Sequence, residues 1–551
     1  MGRLKSAPPG AGMSACATST RRNLRGRRRF RLSAIPPSTA VCGEAALRHI
    51  ILLVTLGLSG ALAQTPPVCA SEVPVCKFLK ERYDRGLAAG NAGDIYENLD
   101  AGHSYLPVAS FTHPQVTIRV LSGGRPSGRD LDKIIVGNAS LGVPPGPIDR
   151  HGSSIGRLLF MVDQNGAEFI ANQYLSNHFY WFPGYVDARG RDVFNGMLPS
   201  LGLSSGDSFS EITHVEEFLY ALAAFRPDVK AKLKEAGLLM PVIQMIFRRV
   251  RVANDEEYLT AKAHRQVTPL NDPKVDYHLA TARMAAAMTL ENLPPIARIK
   301  MIEDTYADGA LGKDCFELTE RHCRGNIYDT PVSVARVWRG FGYTKRMVVS
   351  LEDSHDLNSR PLQYRWALLS GDPERARITL LNDEGSKAQI DIDYHPTSTA
   401  TETERASNLV VIGGFVYNGV HFSPPVFASS FTLNYENRTY DPESKRLLKI
   451  EYPAYEDRYV HANFSRWKLW ISDDLKYNAD GAFLSLIRGY RPWWTNPYME
   501  FAPDGFQVLD RDADGRPSRG QGVRYHIDTQ KDPGYAGLDW TADGPVKSYP
   551  E

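Results

Sequence analysis

The chain is predicted to be multidomain: a mixed α/β domain at 64–340, an all-β sandwich at 341–436 and a C-terminal β-hairpin or meander domain at 437–551, behind a leader at 1–63. Three observations predict this. Helical periodicity is concentrated between Val215 and Tyr306, strand-like runs alone fill 341–436, and Asp-Gly turn signals recur through the last 115 residues.

In the leader, His49 to Ala63 is an apolar run that closes on Ala61-Leu-Ala63, the form of a signal-peptide core and its small-residue cleavage site. The run is too short to cross a bilayer, which takes about twenty residues. An exported protein, periplasmic or extracellular, with no membrane span in the mature chain is therefore expected. The segment 1–63 holds ten of the 64 Lys/Arg and one of the 63 Asp/Glu, which leaves 54 basic against 62 acidic side chains. A mature chain with that acidic excess argues against nucleic acid as a partner. Four cysteines remain after the leader, and an even count in an exported chain suggests disulfides. The two close pairs favour Cys69–Cys76 and Cys315–Cys323, although four cysteines permit three connectivities.

Within 64–340, Val116–Leu121 and Arg157–Val162 read as strands. Helices are expected from Val215 to Phe225, Asp228 to Ala236, Pro241 to Val250, Asp276 to Met288 and Pro295 to Tyr306. Met240, Met245, Met284, Met288 and Met301 read as core filling. In the second domain, 346–351, 362–368, 377–381 and 388–394 are β-rich with period-two stretches, which indicates a sandwich. Asp480-Gly481, Asp504-Gly505, Asp514-Gly515 and Asp543-Gly544 read as type I′ hairpin turns.

Asp353-Ser-His-Asp-Leu-Asn-Ser-Arg-Pro-Leu-Gln-Tyr364-Arg-Trp366, followed by Gly371-Asp372, resembles the PKD and cadherin-like modules of secreted bacterial proteins. The resemblance covers under a fifth of the chain and implies an immunoglobulin-like fold with a structural or adhesive role. It departs from the usual Trp-Asp-Phe-Gly-Asp, having Trp366-Ala-Leu-Leu-Ser-Gly-Asp372. The whole chain is also similar, loosely, to secreted bacterial proteins without an assigned activity.

Two G-x-S-x-G matches bear on catalysis. Gly152-Ser-Ser154-Ile-Gly156 precedes a strand-like run, the wrong order for a nucleophile elbow. Gly202-Leu-Ser204-Ser-Gly206 is nearer to strand–turn–helix, although several residues separate it from the helix. The plainer reading is a Ser/Gly loop before a helix capped by Thr213 and Glu216, or by Ser208 and Glu211. His214, Glu216 and Glu217 form H-x-E-E, which lacks the two-His spacing of a zinc protease. Asp391, Asp393 and His395 share one face of a strand, with Ile390, Ile392 and Tyr394 on the core face. Asp510, Asp512 and Asp514 match the start of a Ca²⁺ loop, but Gln521 stands where the bidentate Glu belongs, so a hairpin is the simpler account and no metal is favoured.

Five of the eight tryptophans lie at Trp467, Trp470, Trp493, Trp494 and Trp540. Trp493 and Trp494, flanked by prolines and followed by Tyr498, could stack on sugar rings or anchor a partner, or plug the meander against its neighbour. The function expected is recognition of a glycan or cell-surface polymer through these aromatics. The alternative is a secreted hydrolase with its site in 77–340, Ser204 as nucleophile and His214 as base.

Overall fold

The computed structural model describes residues 74–79, 94–99, 116–120, 130–138, 164–183, 193–194, 196–204, 211–264, 271–306, 325–396, 408–432, 436–452, 470–490, 498–527, 538–541 and 543–549. The leader run and the predicted strand 157–162 lie outside them. Among the described residues no helix is long and apolar enough to cross a membrane.

The fold is mixed α and β. After a short helix α1 (74–79), six strands form one sheet: β1 (Asp94–Asn98), β2 (Val116–Val120), β3 (Ile134–Asn138), β4 (His178–Pro183), β5 (Val193–Phe194) and β6 (Gly202–Ser204). Their order is β2-β1-β3-β4-β6-β5, with every pair parallel except β5 with β6. All five residues of β1 and of β3 are buried, as expected of strands covered on both faces. Helix α2 (Gln164–Leu175) connects β3 to β4, and α3 (Glu211–Ala224) follows β6. Nearly every α3 side chain from Val215 onward is buried, because the helix packs between β3, α5 (Leu239–Arg249) and α8 (Tyr277–Ala286).

Helix α4 (Pro227–Glu235) starts on its proline, whose missing N–H belongs to the unbonded first turn, and Gly237 takes φ 65° just beyond its end. Short helices α6 (Asp255–Tyr258) and α7 (Ala261–His264) follow α5. The helices expected at 215–225, 228–236, 241–250 and 276–288 are present with small shifts of their ends. Met240, Met245 and Met288 are buried, and Met284 and Met301 pack against the same core.

The helix expected from Pro295 to Tyr306 is not formed. Ile296 bridges to His355, and Lys300–Asp304 is strand β7, paired antiparallel with β10 (Thr344–Ser350). The spacing of Ile296, Ile299 and Ile302 suggests a helical face, yet Ile302 is 49% exposed on an edge strand and the Pro294-Pro295 pair favours extended backbone.

Two sheets use the strand-only segment. One has order β12-β13-β10-β7, with β12 (Ala376–Leu380) and β13 (Lys387–Asp393). The other has order β11-β14-β15-β9-β8, with β8 (Asn326–Asp329), β9 (Ser333–Trp338), β11 (Gln363–Ser370), β14 (Val410–Tyr417) and β15 (Val426–Thr432). One hydrophobic cluster runs from Val75 to Phe431.

The last region is an antiparallel meander. Strands β16 (Asn437–Tyr440), β17 (Leu447–Glu451), β18 (Trp470–Tyr477), β19 (Phe483–Tyr490), β20 (Tyr498–Phe501), β21 (Gln507–Arg511) and β22 (Pro517–Gln521) pair in chain order, and β25 (Val546–Ser548) closes the edge. Strands β23 (Arg524–Ile527) and β24 (Leu538–Thr541) form a separate hairpin. The core here is small: Leu447, Ile450, Tyr452, Leu475, Leu486, Met499 and Phe501.

The Asp-Gly turns differ in type from the expectation. Gly481, Gly505 and Gly515 have φ of 83°, 83° and 78°, while the aspartates before them do not have positive φ. Gly481 N–H donates to Asn478 O at 2.9 Å, and Asn478 N–H donates to Ala482 O at 2.9 Å. That pattern, repeated at 502–506 and 512–516, is a type I turn closed by a left-handed glycine, which needs positive φ at one residue rather than two. Gly544 instead donates its N–H to Gly522 O at 3.0 Å beside β22.

Candidate functional site

The order of the parallel sheet points to a candidate site. The chain runs outward from β1 to β2 on one side and to β3 on the other, so the direction of winding reverses between β1 and β3. In open parallel sheets, ligands bind outside the carboxyl ends of the strands at such a reversal. Asn98 ends β1 and Asn138 ends β3, and the two are in register. Both are buried, and Tyr96 donates its hydroxyl to Asn138 Oδ1 at 2.9 Å, which fixes that amide. A neutral amide offers a donor and an acceptor side by side, which suits a hydroxyl group. Ser204 ends β6 at the same edge, in register with Pro183, three strands or about 14 Å from β1.

A buried aromatic and ionic layer covers β4 and β6. The Trp181 indole lies over Gly202, where a Cβ would collide with the ring. The first glycine of G-x-S-x-G therefore has a packing reason. The His214 ring tilts over Trp181 with centroids 5.0 Å apart and meets Phe247 edge-on at 5.3 Å. His214 Nδ1 faces Glu217 Oε1 at 3.6 Å. Arg251 grips the same carboxylate in a bidentate contact at 2.6 and 3.0 Å, and Thr281 adds a hydroxyl at 3.3 Å. Burial alone would raise the Glu217 carboxyl, but the Arg251 and His214 contacts outweigh it and hold it at about 2. Glu217 is thus a fixed anion, gripped by Arg251 and 3.6 Å from the His214 ring nitrogen.

A second ladder crosses the sheet from a buried end at Tyr180 and Glu97 to an exposed one at Asp130. Tyr180 donates to Glu97 Oε2 at 2.7 Å by lying over Gly137, and Arg119 reaches Glu97 Oε1 at 3.1 Å and Asp130 at 3.0 Å. At the opposite end of β1, Lys230 meets Asp94 at 2.6 Å.

The sequence-predicted residues fall as follows. His214 lies in the first turn of α3, buried in the layer just described. Helix α3 begins at Glu211, so Thr213 and Glu216 sit inside it and do not form its capping box. Tyr498 opens β20 and is 57% exposed, while Trp493 and Trp494 lie outside the described residues. Cys76 is buried in α1; Cys69, Cys315 and Cys323 are outside the described residues, as is Ser154.

Asp391 is paired with Arg346 at 2.7 Å and Asp393 with Arg377 at 2.8 Å. His395 is buried, with Nδ1 donating to Asp393 O and Nε2 accepting from Asp372 N–H, so it leaves the face of the two aspartates. Asp510 pairs with Arg519 at 3.1 Å, and Asp512 accepts Arg516 N–H at 2.7 Å within its own hairpin, with Asp514 in the same turn. No group of three or more His, Cys, Asp or Glu positioned to hold a metal occurs among the described residues.

Sequence reasoning missed Asn98, Asn138, and the Glu217–Arg251 pair. The signal available was that Asp94-Ile-Tyr-Glu-Asn98 and Ile134-Ile-Val-Gly-Asn138 each end a short β-rich run in Asn. No protein-family model matches the chain, and no curated protein matches it significantly.

Proposed function

We propose that the chain is an exported recognition protein that takes a neutral, hydroxyl-rich ligand, a glycan, at the carboxyl edge of its parallel sheet. The observation that carries this reading is the register of Asn98 with Asn138 at the reversal between β1 and β3. Paired amides fit sugar hydroxyls better than they fit phosphate, and the acidic balance after residue 63 disfavours polyanions. Trp493, Trp494 and Tyr498 would supply a second set of sugar-stacking aromatics, a reading supported by the exposure of Tyr498. The PKD-like, immunoglobulin-like module at 341–436 acts as an adhesive or spacer element, and disulfides Cys69–Cys76 and Cys315–Cys323 close their short loops.

Glycan-array binding by the purified protein tests this. Asn138→Ala should abolish binding, and the Trp493→Ala/Trp494→Ala double variant should weaken it. Binding lost only in the tryptophan variant moves the site to the meander, and an array without any bound glycan removes the reading.

A second reading is a hydrolase with Ser204 as nucleophile, His214 as base and Glu217 as its orienting carboxylate. It is favoured by the 3.6 Å approach of His214 to Glu217 in the helix that follows Ser204. Covalent labelling by a fluorophosphonate, lost in Ser204→Ala, is its signature.

A further inference from the structure

Arg248 and His264 form a buried pair without a carboxylate. Arg248 is 1% exposed, and its hydrogen bonds go to neutral groups. Nη1 donates to His264 Nδ1 and to His264 O, both at 3.1 Å, and Nη2 donates to Gln244 Oε1 at 3.2 Å. The guanidinium lies 3.7 Å from the centre of the Phe194 ring. No ion pair to Arg248 is formed among the described residues. A guanidinium has no lone pair to give, so His264 Nδ1 must be the acceptor. The imidazole proton then sits on Nε2, which donates to Tyr258 O.

His264 also ties two layers together. Its ring lies 5.1 Å from Phe415 on β14 and 6.4 Å from Phe427 on β15, and 5.0 Å from Tyr258. Tyr258 in turn donates to Ser423 O at 3.1 Å. We propose that His264 is an acid-sensitive latch: neutral, it fastens α6 and α7 onto β14 and β15, and protonated, it releases them.

The charges around it leave no compensation for a second cation. From α5 come Arg248 and Arg249, and Arg249 is taken by Asp255 of α6. Glu257 of α6 is taken by Lys262 of α7 itself, and Glu256 stands on the exposed side of α6. Strand β11, packed on α7, brings Arg365; β14 and β15 bring no charged residue. His421 lies near Arg249 and Asp255, a second imidazole to be separated from the first. Burial, and then Arg248, push His264 well below the ordinary imidazole range.

The sign follows. The closed latch holds His264 neutral, whereas the opened one takes a proton below about pH 6.5. Closure is therefore fully stable above that pH. Below it, the opening constant rises by about tenfold per pH unit.

Hydrogen exchange on the purified protein from about pH 7.5 to about pH 4.5, corrected for intrinsic rates, tests this. Protection of 255–264 should fall about tenfold per pH unit below about 6.5. His264→Gln should flatten that slope, and His421→Gln should leave it. An equal slope in His264→Gln, a slope lost in His421→Gln, or flat wild-type protection overturns the latch. Should His264→Gln fail to fold, imidazole ¹⁵N shifts of the wild type decide. His264 must gain its second proton as 255–264 opens, and a ring still neutral after opening overturns it.

Discussion

Arg248 in the helical layer and Arg488 in the meander are both essentially buried, and they are solved in opposite ways. Arg488 meets Asp473 in a bidentate pair at 2.6 and 2.7 Å, with Tyr452 donating to the same carboxylate at 2.6 Å. Arg248 has an imidazole, an amide, a carbonyl and a ring. A paired charge is fixed while its partner remains ionised, whereas a charge among neutral acceptors depends on those acceptors staying neutral. The meander is thus tied by a hydrogen-bonded ion pair, and the helical layer by a cation among neutral acceptors, one of which, His264, mild acid attacks.

The strongest way to break this comparison is Arg488→Met. It leaves Asp473 buried without its cation beside a small core whose described members include Leu447, Ile450, Tyr452, Leu475, Leu486, Met499 and Phe501. We expect a loss of about 3–5 kcal/mol in urea denaturation followed by a probe of the meander. A loss below about 1 kcal/mol would mean that the pair contributes little to that region.

Arg248→Met should cost less, about 1–3 kcal/mol, because it removes a charge and strands only neutral acceptors. Gln244 Oε1 keeps the Tyr174 hydroxyl at 3.2 Å, so His264 Nδ1 is the main orphan. The same variant should shorten the pH window over which protection of 255–264 falls, since the cation facing His264 is gone and only burial still holds the ring neutral. A cost equal to that of Arg488→Met would show that the two arginines are not as different as their partners suggest.

Acid sharpens the contrast further. Glu217 is held at about 2, below its ordinary 4.5. Its contribution is therefore complete above the ordinary carboxylate value and is lost as pH falls from there towards about 2. His264 works in the window above, beginning near about pH 6.5. An acid titration followed by near-ultraviolet circular dichroism should show two steps in the wild type. Glu217→Gln should remove the lower step and leave the upper.

How much of this was legible in the sequence depends on the range of the interaction. Helices α3, α4 and α5 were readable because their signals are local: an apolar period, Pro227 at one start, Gly237 after one end. The meander was readable because Asp-Gly recurs at each of three hairpins. The segment 295–306 misled because isoleucines at spacing three suit a helix, and only pairing with β10 some forty residues away makes them a strand. The candidate site lay deepest. Asn98 and Asn138 meet only through strand order, and Arg251 finds Glu217 only through the packing of α5 on α3.

The smallest effect tests the turns that carry the meander. Gly505 has φ 83° and nothing within 4 Å of where a Cβ would stand, so Gly505→Ala meets backbone strain alone. A left-handed residue with a Cβ costs about 1–2 kcal/mol, and we expect that loss in thermal unfolding. Gly481 has the same φ, but its Cβ would collide with the Arg446 guanidinium, which lies near the Tyr477 ring. That group is the far end of a flexible side chain, so it can move at small cost. Gly481→Ala should therefore exceed Gly505→Ala by no more than about 0.5–1 kcal/mol, the value of an exposed cation–π contact. A much larger gap would mean that Arg446 is held as firmly as Arg488. The meander would then be tied at its turns as well as at its buried pair.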